Sequence, residues 1–202
     1  MSKLALVVLL DHFADWEAGH LLPMLNTPPT DGEEPAWKSA VVSLTKEPIK
    51  SMGQLTVTPD LSISEVPESF DALILIGGMS WRKEEALEVV SLIEKARQKK
   101  VPLAAICDAA NFLAWHGFLN DVAHTGNAGG DMSSHPGSTY DNKEGFDDTA
   151  RALTDGGIIT ADGASPVDFA AHVLRALEVL PSEVIDEWED VQLVGEKAFY
   201  RE

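Results

Sequence analysis

The chain has 202 residues, enough for one domain of ordinary size, 1–202, with a substantial core. Its 33 acidic and 15 basic side chains give a formal net charge of −18. That excludes nucleic acid and anionic membrane surfaces as partners, since both are polyanions. A single cysteine cannot close an internal disulfide, which suits a reducing, cytoplasmic setting.

The apolar run Leu4 to Leu10 ends in Asp11 with no small-residue cleavage site, so it reads as a buried first strand and not as a signal or membrane segment. Trp16 to Leu25 suits a short helix with Asp15 as N-cap. A Pro- and Gly-containing loop, Asn26 to Pro35, leads to a second strand, Lys38 to Leu44. Ile49 to Thr58 reads as a small hairpin, and Leu61 to Val66 as a connector. Phe70 to Ile76 is the strongest strand signal and stops at Gly77-Gly78. Glu84 to Lys99 follows as an amphipathic helix with Leu87, Val90, Leu92, Ile93 and Ala96 inward. Val101 to Ile106 is the next strand, and Asp108 to His116 the next helix.

Beyond it, Val122 to Thr125 reads as a short strand and Ala128 to Asp148 as a long loop without periodicity. Thr149 to Leu153 and Gly157 to Ala161 pair around Thr154-Asp155-Gly156. A helix from Pro166 to Leu180 starts with Ser165 or Asp162 as cap. The core thus spans about 4–180, with a C-terminal extension, 181–202: a short acidic helix, Pro181 to Asp190, then an extended or frayed tail. Strands alternate with helices, which predicts an α/β fold: a flavodoxin-like, doubly wound, mostly parallel sheet sandwiched by helices.

Such a sheet gathers functional groups beyond the carboxyl ends of its strands. The residues in those places are His12 and Glu17, then Gly77, Gly78 and Trp81, then Cys107, then His124 and Asn127, then Asp162 and Gly163. Cys107 stands between a strand and a helix, with Ala105 and Ala109 as small neighbours, the setting of a nucleophile elbow. There the helix dipole and first N–H groups favour a thiolate. A lone cysteine is as often an inert core residue, Glu17 alone would be a solvated helix residue, and Gly77-Gly78 alone a plain turn. The six histidines lack ligand spacing, and no metal or other cofactor is expected.

Taken together and in order, the segments DWEAG, LILIGG, AAICDAANFLA, HTGN and GIITADGASPVDFA resemble the DJ-1/PfpI superfamily, the class I glutamine-amidotransferase-like fold. GG followed by Trp81, together with HTGN, points toward its bacterial amidotransferase-like branch. The resemblance implies that Cys107 is the reactive residue and Glu17 its carboxylate partner. It implies backbone donors for an oxyanion from Gly77, Gly78 and Asp108, and a pocket lined by Trp81, His124 and Asn127. It also implies a homodimer.

This chain departs from the family pattern at several points. Asp108 follows the cysteine where the protease-like branch has histidine, and its charge opposes a thiolate unless the side chain turns away. Asn127 stands where a second histidine is common, His124 is three residues early, and His116 lies nine residues down the helix. No H-x-E pair follows Ile159, so a true glutaminase is not expected. Three readings follow: a Cys-dependent hydrolase or glyoxalase III- or deglycase-like enzyme on a small molecule; a non-enzymatic oxidative-stress protein sensing through oxidation of Cys107; or a degenerate small-ligand-binding scaffold.

Overall fold

A computed structural model describes residues 2–28, 33–127 and 130–199. The first apolar run forms strand β1 (Lys3–Val8), which lies inside the sheet. It pairs in parallel with β2 (Trp37–Ser43) on one side and β6 (Ala72–Leu75) on the other. The seven-stranded order is β5-β2-β1-β6-β7-β9-β8, adding β5 (Leu61–Ser62), β7 (Leu103–Ile106), β8 (Ala152–Asp155) and β9 (Ile158–Ala161). Every pairing is parallel except β8 with β9. The predicted doubly wound α/β sheet is therefore the observed one. A separate hairpin pairs β3 (Ile49–Lys50) with β4 (Thr56–Val57).

Alternation along β1 explains the unbroken apolar run. Leu6, Val8 and Leu10 belong to one core, with Leu92, Ile93, Phe112 and Trp115. Ala5, Val7 and Leu9 belong to the other, with Leu21, Phe169 and Leu174. A strand covered on both faces needs apolar residues at successive positions. Each fully buried Leu, Ile or Val contributes about 1.5–3 kcal/mol, so both faces hold the strand in place. Helices α3 (Val90–Lys99) and α4 (Asp108–Trp115) supply the first core. α1 (Asp15–Gly19), α2 (Leu21–Asn26) and α6 (Pro166–Ala176) supply the second. Among the described residues no helix is long and apolar enough to cross a membrane.

Several elements differ from the sequence expectation. The helix expected over Trp16 to Leu25 is two helices, because Pro23 cannot donate to the carbonyl four residues back and its ring clashes there. Asp15 does not cap it: Ala14 is the N-cap, and Asp15 accepts the Ser51 hydroxyl at 2.9 Å. Glu84–Val89 is a 3₁₀ turn ahead of α3. With three residues per turn it stacks Ala86 and Val89 inward and leaves Leu87 49% exposed. Val122 to Thr125 is no strand; His124 alone bridges to Phe146.

The long loop holds a short helix, α5 (Gly130–Ser134), and a 3₁₀ turn, Lys143–Gly145; residues 128 and 129 lie outside the described residues. The β8–β9 turn falls at Gly156-Gly157, both with positive φ, as a two-residue hairpin of this twist requires. The tail is helical, in α7 (Ser182–Val194) and α8 (Glu196–Phe199). Buried Ile185 and the Arg175 ion pairs to Asp186 and Glu189 hold α7 on α6.

Candidate active site

Four chain segments converge at the carboxyl ends of β1, β6, β7 and β9. Cys107 is the hinge from β7 into α4, with φ +61° and ψ −130°. Such a backbone is strained for any residue other than glycine, by about 1–3 kcal/mol. Backbone bonds over-determine it: Cys107 N–H donates to Ala161 O at 3.0 Å, and Cys107 O accepts from Ala110 N–H at 3.0 Å and Asn111 N–H at 3.2 Å. Ala105 and Ala109, fully buried, leave room for the tight turn.

Glu17, from α1, is fully buried. Its Oε2 accepts the Gly77 N–H at 2.8 Å, while Oε1 is buried with no conventional partner. The thiol of Cys107 is the group beside it. Burial pushes the Glu17 carboxyl up to about 7; hydrogen bonds from the thiol and then the Gly77 N–H oppose it without overcoming it, and the charges of Asp108 and Asp162 add smaller upward pushes. The thiol is also pushed up, by burial first and by the Glu17 charge second. Asn127 and the Asp108 N–H oppose that without overcoming it. The expectation that the helix N-terminus favours a thiolate in the resting protein is therefore reversed. The elbow is too dry, and its neighbour too often negative. The two groups face each other closely, so the titration of each depends on the other.

Asn127 ties the cleft together. Its Oδ1 accepts the Gly163 N–H at 3.0 Å, and its Nδ2 donates to Cys107 Sγ at 3.3 Å. Because the Gly163 N–H can only donate, the amide orientation is fixed by the network. Gly163, after β9, presses on the pair: a Cβ there would lie 2.8 Å from Sγ and 3.2 Å from Glu17 Oε1. Its carbonyl accepts the Trp16 indole N–H at 3.1 Å. Asn127→Ala is expected to slow alkylation of Cys107 by iodoacetamide several-fold at pH 8, because the donor that opposes the upward shift is lost. An unchanged rate, followed by intact mass, would show that this contact does not act on the sulfur.

The structure does not bring all the expected residues together. Gly77 is in the centre, but its N–H is taken by Glu17 and is not free for an oxyanion. Gly78, at φ +146°, lies against the His12 and Phe13 backbone, where a Cβ would meet His12 O at 2.5 Å. Asp108 keeps its N–H near the sulfur. Its carboxylate turns away to a two-pronged ion pair with Arg82, at 2.7 and 2.9 Å, and accepts from Asn111 Nδ2 at 3.1 Å.

Trp81 does not line the cysteine cleft. Its indole donates to Ile76 O at 2.7 Å, and it borders a separate 410 Å³ cavity with Phe112, Trp115 and His135. His124 is also turned away, buried with Nδ1 on Val122 O and Nε2 on the Tyr140 hydroxyl, each at 2.9 Å.

The cleft over Cys107 encloses about 660 Å³ and adds residues the sequence reading did not single out, chiefly Trp16, Phe146 and Asp148. Trp16 adjoins Glu17, so its place could have been found from the same segment. Phe146 and Asp148 come from the irregular loop, where no periodicity marks a direction. No histidine lines this cleft, and no cluster suited to a metal ion occurs among the described residues.

Known proteins share this fold. Residues 3–176 match the DJ-1/PfpI family. An uncharacterized protease of Bacillus subtilis, YdeA, is 33% identical over 91% of this chain and 88% of its own. A thiJ/pfpI family protein of Bacillus anthracis superposes with a TM-score of 0.88 at 29% identity, covering 99% of this chain and 94% of that one. A DJ-1 superfamily protein of Agrobacterium tumefaciens gives 0.81 at 33% identity, over 98% and 100% of the two chains. With its parallel sheet, its cysteine elbow and a match over nearly all of its length, this chain belongs to the DJ-1/PfpI family.

Proposed function

We propose that Cys107 and Glu17 form a thiol–carboxyl pair that acts on small carbonyl compounds, in glyoxalase-like or hydrolytic chemistry. The observation that carries this reading is the fully buried Oε1 of Glu17, which receives no N–H or O–H donor and lies beside the thiol. A buried carboxyl oxygen without a donor is costly. It is put to use if it takes the thiol proton as sulfur attacks.

The step runs as follows on an α-oxoaldehyde. Cys107 Sγ bonds to the aldehyde carbon, the thiol proton passes to Oε1, and the C=O pair moves onto oxygen. The Asn127 amide and the Asp108 N–H are the nearby donors for that charge. Glu17 returns the proton to the oxygen, giving a hemithioacetal. Transfer of the carbon-bound proton to the neighbouring carbon through the same carboxyl, with the hydroxyl proton passing to the neighbouring carbonyl oxygen, gives a 2-hydroxyacyl thioester, and water releases the 2-hydroxy acid and the thiol. A carboxyl poised near 7 suits a group that both takes and gives a proton.

The relative named a protease suggests peptide hydrolysis, but a Cys–His pair needs an imidazole within reach. Among the described residues none lines the cleft here. A second reading draws on the same donors: they would also hold oxygens added to sulfur by peroxide, making Cys107 a redox sensor.

Turnover of methylglyoxal to lactate by the purified chain separates the two. Loss of that turnover in Cys107→Ala supports the enzyme. Absent turnover, with a gain of 16 or 32 mass units on Cys107 in mild peroxide, supports the sensor.

A further inference from the structure

We infer that the cleft selects its electrophile by charge: it takes carbonyl compounds that are neutral or carry an ammonium or guanidinium group, and it excludes those bearing carboxylate or phosphate. The inference rests on the reading of Cys107 as a reactive centre and adds a substrate class to it.

The wall carries the argument. Asp148 and Asp162 line the 660 Å³ cleft, and Glu17 is buried behind its lining, next to Gly163 and Cys107. Among the described residues no lysine, arginine or histidine lines it. The two arginines attached to neighbouring segments are committed elsewhere. Arg151 grips both oxygens of Asp168 at 2.9 Å, and Arg82 grips Asp108. Asp162 is held in place by the Ala164 N–H and the Ser165 hydroxyl, each at 2.7 Å, so its charge is fixed at the rim. Asp148 is exposed and free to follow a ligand.

The remaining wall is aromatic. Trp16, anchored by its indole N–H to Gly163 O, and Phe146 both line the cleft. Aromatic rings beside carboxylates form a surface for an organic cation, since the ring faces and the acids act with the same sign. A phosphate or carboxylate would find no matching cation here. The same field would expel a carboxylate product: oxidation level is conserved in the proposed isomerisation, but a neutral aldehyde leaves as a 2-hydroxy acid anion.

Each of two carboxylates about 7 Å from a unit charge, in water at 20 mM salt, changes its local concentration by a factor of about two, upward for a cation and downward for an anion. A cation and an anion of the same size should therefore differ by about tenfold or more in their rate at Cys107.

The test uses two methanethiosulfonates, one carrying a trimethylammonium-ethyl group and the other a sulfonatoethyl group. Each forms a mixed disulfide on Cys107 and releases methanesulfinate. The rate ratio in the folded protein, followed by intact mass, is divided by the ratio in the same chain unfolded in urea. The expected quotient is about ten in 20 mM salt, falling toward one in 1 M salt. Asp148→Asn should lower it about fourfold, while Glu94→Gln on the exposed side of α3, with the same change in net charge, should leave it in place. A quotient near one, or an equal effect of the two variants, overturns charge selection by the cleft while leaving Cys107 reactive. Failure of both reagents on the folded chain overturns the reactive centre itself, and this inference with it.

Discussion

Glu17→Gln is expected to make Cys107 easier to alkylate and to abolish carbonyl turnover in the same protein. The two effects have opposite signs because Glu17 has two actions on the sulfur. Its negative charge, after burial, is the largest influence that keeps the thiol protonated. Glutamine removes that charge and places an amide donor where Oε1 was unpartnered, so a thiolate becomes easier to form. Glutamine cannot accept and return a proton, so the addition step loses its acid and base. General acid–base groups typically contribute 10²- to 10⁴-fold. Turnover should fall by about that amount while iodoacetamide reacts faster at pH 7.5. A parallel loss of both would mean that Glu17 only holds the elbow in shape.

The same variant should alter the pH dependence of stability. The Glu17 carboxyl is raised from its ordinary 4.5 to about 7 in the folded chain. A group raised in this way binds more protons folded than unfolded between those two values. Its contribution is complete below 4.5 and is lost as pH climbs through about 7. At 1.36 kcal/mol per unit, the difference is on the order of 3 kcal/mol. Urea denaturation at pH 4.5, 6 and 8 should therefore show the wild type losing about 3 kcal/mol relative to Glu17→Gln across that range. Both proteins share the growing self-repulsion of the −18 chain, so the difference isolates one carboxyl. Curves that stay parallel would place Glu17 in contact with water.

The sheet was legible because its signal is redundant. β1 and β6 are apolar at every central position, and the elbow combines such a strand with a helical run. Cys107 and Glu17 were findable because each follows a strand end, and Asn127 because it sits in the segment HTGN, although the strand expected before it does not form. The pairing of Glu17 with Gly77 was not, since a side chain reaching 60 residues along the chain leaves no local pattern. The same holds for Asp108. Its effect on the thiol turns on where its carboxylate points, and Arg82, 26 residues away, decides that. Trp81 looked like a pocket wall because it follows the glycine turn, but the 3₁₀ turn Met79–Arg82 drives its ring into the core beneath α4. The boundary at His20 hung on one proline. Phe146 and Asp148 lay in a stretch whose irregular backbone gives sequence no period to report.

Gly77→Ala should cost about 3 kcal/mol of stability, at the upper end of what overpacking a core does. A Cβ on Gly77 would lie 2.5 Å from Glu17 Oε2, 2.6 Å from Cys107 Cβ and 2.8 Å from Ile106 O. None of these can step aside cheaply. Ile106 is the last residue of β7, the Cys107 backbone is pinned by three hydrogen bonds, and Glu17 is tied to the Gly77 N–H itself. Gly77 has no positive φ, so the penalty is one of space and not of backbone conformation.

Gly19→Ala is the matched control: a Cβ there meets nothing within 4 Å, at the end of α1, and its effect should be within about 0.5 kcal/mol of zero. Paired urea titrations of the two variants settle the point. If Gly77→Ala proves as mild as Gly19→Ala, the three strand ends are not held at the separation on which the thiol–carboxyl pair depends. If it is severe and the surviving folded protein alkylates at an altered rate, then the close approach of β6 to the elbow is what sets Glu17 against the sulfur.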